Sequence, residues 1–301
     1  MLYIPEKMNV NTIYISTYRL DFQFAKFCIA SIRYWYPNIR IELIKDFGAG
    51  DFDTTVIEKV WNVSIFQSER KRFGWGYGKL EPLFEKDSHS FLVIDADTVL
   101  TGPVLDNLDH VKADFIVDEE VHGTKRFNEI YYHLEKIRSI EPEFEYPGYS
   151  FNSGQWIGTS GVLKRDDFAP YLEWSEPPKV KFSNVFFNGD QGLLNFVMHF
   201  TQQKRGVIIQ RRKLMVWPAE GKAEFIKLEC IKKRESVYPY VLHWAGMKFG
   251  KWHELPRADI LEFYMDYYYK RMGGWEKFKD TFSIAIMPYR KKLMEYTAKL
   301  K

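Results

Sequence analysis

Four consecutive apolar residues, Phe91-Leu92-Val93-Ile94, run without a spacer into Asp95-Ala96-Asp97. A strand that is apolar at every position must be covered on both faces, which is the condition of a central strand between two layers of helices. The chain upstream has the rhythm that such a sheet requires. Residues 12–17 are β-branched and aromatic and read as a buried strand. Residues 20–35 then set Phe24, Phe27, Cys28, Ser31, Ile32 and Trp35 at helical spacing, and Pro37 stops the helix. A second strand follows at 39–44, Asp53 is placed to cap a helix over 54–61, and 63–66 is a third short strand. This alternation predicts an α/β fold with a mostly parallel central sheet flanked by helices.

Downstream the pattern is less regular. Residues 151–163 mix Gly and Ser with strand formers, 189–200 read as a short helix, and 238–242 as a late apolar strand. From 256 to 301 the chain reads as helical, with breaks at Gly273-Gly274 and at Pro288. With 46% hydrophobic residues in 301, the chain can bury a sizeable core, and disorder is excluded. Cys28 and Cys230 are too few for a disulfide framework and, among apolar neighbours, are expected as buried free thiols. A net charge of +3 without a basic, aromatic-interleaved stripe argues against nucleic acid as a partner. No apolar run approaches the roughly 18 to 20 residues of a spanning helix. The first ten residues, with Pro5, Glu6 and Lys7, do not read as a signal peptide, so a cytoplasmic location is expected.

The two carboxylates carry the chemistry. In parallel sheets ligands gather beyond the carboxyl ends of the strands. Carboxylates at i and i+2 around a small residue can converge there on one hard divalent cation with positions open for a pyrophosphate. The pair Asp51-Phe52-Asp53 has the same spacing but follows Gly48-Ala49-Gly50 rather than a strand, so its expected role is helix capping. A strand followed by D-x-D-x-[TV] also opens the haloacid dehalogenase phosphatases. There Asp95 would be the nucleophile and Asp97 the general acid. Three strands precede the motif here, and Asp190 stands alone where an acidic pair would be needed.

Read together, segments spread over about residues 11 to 252 resemble glycosyltransferase family 8, which includes lipopolysaccharide galactosyltransferases and glycogenin. Tyr77-Gly78-Lys79-Leu80 is similar to the family's Tyr-x-Arg-Leu, with Lys for Arg, and Asp95-Ala96-Asp97 matches its metal motif. Asn152-Ser153-Gly154 resembles its Asn-x-Gly segment, and Asn188-Gly189-Asp190-Gln191 its Asp-Gln pair. His243-Trp244-Ala245-Gly246 opens its His-x-x-Gly-x-x-Lys-Pro-Trp ending. The family Lys falls at Phe249 here, Lys248 or Lys251 offers the charge instead, and Trp252 follows without a Pro.

The resemblance implies a GT-A fold over 1–255, with a nucleotide-binding half at about 1–100, an acceptor-side half at about 101–255, and a helical tail at 256–301. It implies transfer of a hexose from a nucleotide-sugar, a UDP-sugar above all, with retention of configuration, onto a glycan or lipid-linked acceptor. Asp95, Asp97 and His243 would hold Mn2+ (or Mg2+), which neutralises the leaving diphosphate. Asp95 would also face the donor. Lys248 or Lys251 would add charge on the pyrophosphate, and Lys79 would contact donor hydroxyls or phosphate. Asn152 and Gly154 would lie beside the donor sugar, with Gly246 in the donor loop and Gln191 near the anomeric carbon. Asp190 would accept from sugar hydroxyls. Thr17 and Tyr18 would cradle the base. Retention comes from the resemblance alone, and Asp190 stays open as the base of an inverting enzyme.

Two features stand outside that match. Arg70-Lys71-Arg72 before Phe73-Gly74-Trp75-Gly76 reads as a flexible basic and aromatic loop, either a lid over phosphates or a solvated charge run. Residues 256–301 carry ten Lys or Arg, six Asp or Glu and ten aromatics, a composition that suits either a membrane interface or a helix packed on the domain. The rival readings are the phosphatase and a catalytically silent nucleotide-sugar-binding protein.

Overall fold

β-Branched and aromatic runs form the strands of a computed structural model that describes residues 7–282 except 75, 107, 109, 188, 220 and 248. The first third contains β1 (Val10–Tyr18), α1 (Phe22–Trp35), β2 (Arg40–Asp46), α2 (Thr55–Trp61), β3 (Val63–Ile65), β4 (Ser90–Asp95) and β5 (Thr98–Leu100). A 3-10 segment, Tyr77–Phe84, precedes β4. Next come β6 (Phe115–Glu120), α3 (Thr124–Ile130), α4 (Leu134–Ile137), β7 (Ser150–Thr159), α5 (Arg165–Phe168) and the hairpin β8 (Leu172–Glu173) and β9 (Lys179–Val180). The last third holds α6 (Asp190–Arg205), β10 (Ile209–Arg211), β11 (Met215–Val216), α7 (Leu228–Lys232), β12 (Val241–His243) and α8 (Ala258–Met272).

Seven strands form one sheet in the order β10-β6-β7-β4-β1-β2-β3. The apolar β4 is its middle strand. It pairs in parallel with β1 and antiparallel with β7, which in turn runs antiparallel to β6. Side chains alternate between two cores, as the pleat requires. Leu92 and Ile94 join Ile13 and Ile15 beneath α1 and α8, whereas Phe91 and Val93 join Tyr14 and Trp156 beneath α6. A second, three-stranded sheet, β11-β12-β5, continues the chain just beyond the two carboxylates.

α8 is core rather than surface. Tyr264, Tyr268 and Ile260 are fully buried, and the Tyr268 ring lies parallel to Trp61 at 5.3 Å. Tyr264 donates its hydroxyl proton to the Leu100 carbonyl at 2.6 Å. Gly273, at φ +89°, ends the helix where Gly273-Gly274 was expected to break it. Residues 274–282 then resume a helix. Asp280 ties it down, accepting from Lys26 at 2.6 Å and from the Tyr269 hydroxyl at 2.9 Å, while Trp275, Phe278 and Phe282 stay exposed. The break expected at Pro288 lies outside the described residues. Both cysteines are free; Cys28 is buried as expected, but Cys230, in α7, is only half-buried.

Candidate metal and donor site

β4 ends at Asp95, and the turn that leads into β5 carries Asp97. β12 pairs antiparallel with β5 in a register that sets His243 opposite Thr98, and Trp244 donates its amide to the Asp97 carbonyl at 3.0 Å. The small sheet thus delivers an imidazole from the far end of the chain onto the carboxylate turn. His243 Nε2 lies 3.1 Å from Asp97 Oδ1 and 3.9 Å from Asp95 Oδ2. One donor atom from each of the three residues falls within 4.8 Å of the others. The Trp217 ring stacks on His243 at 5.2 Å and fixes its plane. Two carboxylate oxygens and one imidazole nitrogen, gathered at the carboxyl end of β4, form a donor set that suits Mn2+ and accommodates Mg2+.

Burial opposes charge on all three groups, and their mutual field decides the outcome. Burial pulls the His243 imidazolium down, but the Asp97 and Asp95 carboxylates outweigh it and leave it above the ordinary histidine range. Burial pushes Asp97 up, yet His243 holds it below the usual carboxylate range. Asp95 stays above that range, because burial exceeds the pull of Lys79.

Lys79, on the 3-10 segment, is buried between two acids. Its ammonium is 3.1 Å from Asp95 Oδ1 and 3.0 Å from Asp190 Oδ2, with the Ser153 hydroxyl at 3.3 Å. Burial disfavours its charge, but Asp190 and Asp95 more than restore it, so Lys79 remains an ammonium. Asp190 is the first residue of α6, where the positive end of the helix favours a carboxylate. A Cβ on Gly76, which sits at φ +84°, would lie 2.3 Å from Asp190 Oδ1, so this turn has to be glycine.

The segment Asn152-Ser153-Gly154 is a bulge. The pairing of β7 with β6 skips from Trp156 opposite Val117 to Phe151 opposite Glu119, so the intervening β7 residues arch out of the ladder. The arch leans on the donor set. A Cβ at Gly154 would lie 2.4 Å from His243 Cε1, 2.7 Å from Asn152 Oδ1 and 2.8 Å from Asp95 Oδ2. Asn152 accepts the Gly154 amide at 2.7 Å, and Gln191 Oε1 accepts that of Ser153 at 3.2 Å.

The remaining sequence candidates fall into three groups. Thr17 and Tyr18 close β1 beside this edge: the Thr17 hydroxyl and the Tyr18 amide both donate to Asp21 Oδ1, and the Tyr18 ring is exposed. Gly246 occupies an exposed turn at φ +73°, a conformation that favours glycine. Lys251 is exposed and pairs with Glu254 at 2.9 Å, and Lys248 lies outside the described residues. Asp51 pairs with Lys45, and Asp53 accepts the Thr55 amide at the start of α2, the capping role expected of it. The basic loop is anchored rather than free. Glu176 accepts the Lys71 and Arg72 amides, and Asp46 accepts the Phe73 and Gly74 amides.

Four residues near the site were not singled out from sequence. Asp21 carried a signal, an acid placed to open the first helix; its carboxyl is pushed up to about 8, mainly by burial. Ser153 lay at the variable position of the Asn152-Ser153-Gly154 segment, and Asn195 and Trp217 carried no signal, because their roles depend on contacts distant in sequence.

No protein-family sequence model matches the chain, and no curated protein does. Solved structures do match. The galactosyltransferase LgtC, in a complex with donor and acceptor sugar analogues, superposes with a TM-score of 0.55 at 16% identity, covering 89% of this chain and 99% of that one. The bifunctional glycosyltransferase WbbM, in its apo form, superposes with a TM-score of 0.54 at 15% identity over 88% of this chain. The chain spans about half of WbbM, 52% of its length. At these identities the likeness is one of architecture, and that architecture is the GT-A glycosyltransferase fold anticipated by the sequence motifs.

Proposed function

We propose that the chain is a metal-dependent glycosyltransferase that moves a hexose from a UDP-sugar to a glycan or lipid-linked acceptor with retention of configuration. One observation carries the reading: Asp95, Asp97 and His243 converge at the carboxyl end of the central strand, directly beside Asp190 and the Asn152-Ser153-Gly154 bulge. A divalent ion held by those three residues would act as a Lewis acid on the departing diphosphate. The chain's own groups do the rest. Lys79 bridges Asp95 and Asp190, with its ammonium between the two carboxylates. Asp190 orients sugar hydroxyls, and its tie to Lys79 supports that role over one as a free general base. Asn152 and Gln191 bracket the sugar from β7 and α6. Thr17 and Tyr18 receive the base, Gly246 shapes the loop after His243, and Lys248 or Lys251 serves the pyrophosphate.

Residues 1–100 form the nucleotide half of this reading, 101–255 the acceptor half, and 256–301 the tail. No helix among the described residues is long and apolar enough to cross a membrane. The exposed Trp275, Phe278 and Phe282, with Lys277 and Lys279 alongside, support peripheral contact with an anionic inner-face membrane that carries the acceptor.

The test is calorimetry of UDP with and without Mn2+ on wild type and Asp97→Asn, together with a screen of nucleotide-sugar hydrolysis. Wild type is expected to bind UDP in a Mn2+-dependent way, and Asp97→Asn to lose that dependence while keeping its fold. Unchanged metal-dependent affinity in the variant overturns the assignment.

A further inference from the structure

Because β4 stops at Asp95, the neighbouring stretch of β7 has lost the strand that would satisfy its backbone. Buried amides and carbonyls without partners are strongly disfavoured, so something must replace that strand. The replacement comes from α6. Asn195, which is fully buried, accepts the Phe151 amide through Oδ1 at 2.9 Å and donates from Nδ2 to the Phe151 carbonyl at 2.9 Å. One helical turn earlier, Gln191 Oε1 accepts the Ser153 amide at 3.2 Å. Phe151 and Ser153 are alternate residues of a strand, and Gln191 and Asn195 are i, i+4 on a helix, so the two spacings mesh. Asn195 Nδ2 also donates to the Gln191 carbonyl at 2.8 Å, which locks the two rungs together.

We infer that Asn195 is a positioning residue: with Gln191 it forms an amide ladder in place of the missing strand, and thereby presents the Gln191 side-chain nitrogen, as a donor, to the sugar. The polarity is fixed by chemistry. A backbone N–H needs an acceptor, so the Gln191 oxygen faces Ser153 and the amide nitrogen is the end left for a ligand. In this arrangement Gln191 orients through an N–H and does not attack through its oxygen. Ser153, held by the ladder, is also the hydroxyl beside the Lys79 ammonium, so the ladder sets the relation between Asp190, Lys79 and the β7 bulge.

The inference rests on the glycosyltransferase reading for its functional half, and the experiment separates the two. Asn195→Leu keeps the branched shape, with some added bulk, and removes the hydrogen bonds; Asn195→Ala repeats the measurement if the leucine variant does not fold. UDP release from UDP-galactose and UDP-glucose with Mn2+ is followed alongside UDP affinity and amide exchange of residues 150–154. The expected result is faster exchange at 150–154, UDP affinity and donor KM within about twofold of wild type, and kcat lower by about 10- to 100-fold, the effect of a misplaced group. Faster exchange with unchanged kcat overturns the positioning role, as does a collapse of UDP affinity in parallel with kcat, which marks a merely structural residue. If wild type releases no UDP, the glycosyltransferase reading fails and the exchange arm decides the ladder: unchanged exchange in the variant overturns it.

Discussion

Replacing Gly154 with alanine adds one methyl group at the point where the bulge of β7 touches the donor set. The new carbon would lie 2.4 Å from His243 Cε1 and 2.8 Å from Asp95 Oδ2, whereas ordinary contact begins near 3.4 Å. Something must therefore yield by about 1 Å. Neither neighbour yields easily. His243 is buried and stacked on Trp217, and Asp95 is gripped by Lys79. If the strand moves instead, overpacking of this kind costs about 1–3 kcal/mol of stability. If the ligands move, metal affinity should fall about 10- to 100-fold, the usual penalty for disturbing the shell around a metal ligand. Titration calorimetry with Mn2+ separates the two outcomes when paired with urea denaturation. Gly123→Ala is the control, since a Cβ there meets nothing within 4 Å and the residue sits at φ −63°. A Gly154→Ala protein that binds Mn2+ like wild type and is equally stable would falsify the packing of this centre.

Other expectations follow from single contacts. Lys79→Met leaves Asp95 and Asp190 buried without their shared cation and should destabilise the chain by about 3–5 kcal/mol, seen as a lower urea midpoint that Mn2+ partly restores. His199 is buried among Tyr149, Tyr146 and Phe151, and burial depresses it to about 3. The unfolded chain therefore takes up this proton first, below about 6.5. Stability should fall by about 1.4 kcal/mol per pH unit from there down to about 3, and His199→Phe should remove that component from the urea midpoints. Replacing Trp275 and Phe278 together with alanine should lower retention on phosphatidylserine liposomes at low salt without altering UDP affinity. Equal retention assigns these rings no membrane role.

The four strands up to β4 were legible because each is a short run of strand formers bounded by turn residues, a purely local signal, whereas β5, at Thr98–Leu100, was not read. The carboxylate pair was legible for the same reason, since an apolar strand ran directly into it. The end of the α6 helix was not: it continues to Arg205, past the expected stop at 200, and closes on Gly206 at φ +71°. The direction of β7 and its bulge were also hidden, because Gly and Ser weaken the strand pattern where the arch is needed. Lys79 looked like a ligand contact, but its partners Asp95 and Asp190 are brought to it only by folding. The aromatic and basic composition of 256–301 fits a buried helix and an interfacial one equally. In α8 the rings meet Trp61 and Phe27, while beyond Gly273 three rings face outward. The basic loop read as flexible because the acids that pin it, Asp46 and Glu176, lie on either side of it, far away in sequence.

The small sheet joins chain segments that leave the ribosome far apart in time. β5 is made soon after Asp97, whereas β11 and β12 emerge more than a hundred residues later. Until then the carboxylate turn has no imidazole, and the first half of the central sheet must stand without β7, its antiparallel neighbour, for part of that interval. Closing so distant a contact is slow compared with forming local helices. The donor set is thus among the last features to mature, and an ion captured there would act as a latch on the finished chain. Bound at a hundred times its dissociation constant, a ligand of the native state alone adds about 2.7 kcal/mol to stability. Divalent cations in a refolding buffer should accordingly slow the escape from the native state more than they hasten its formation.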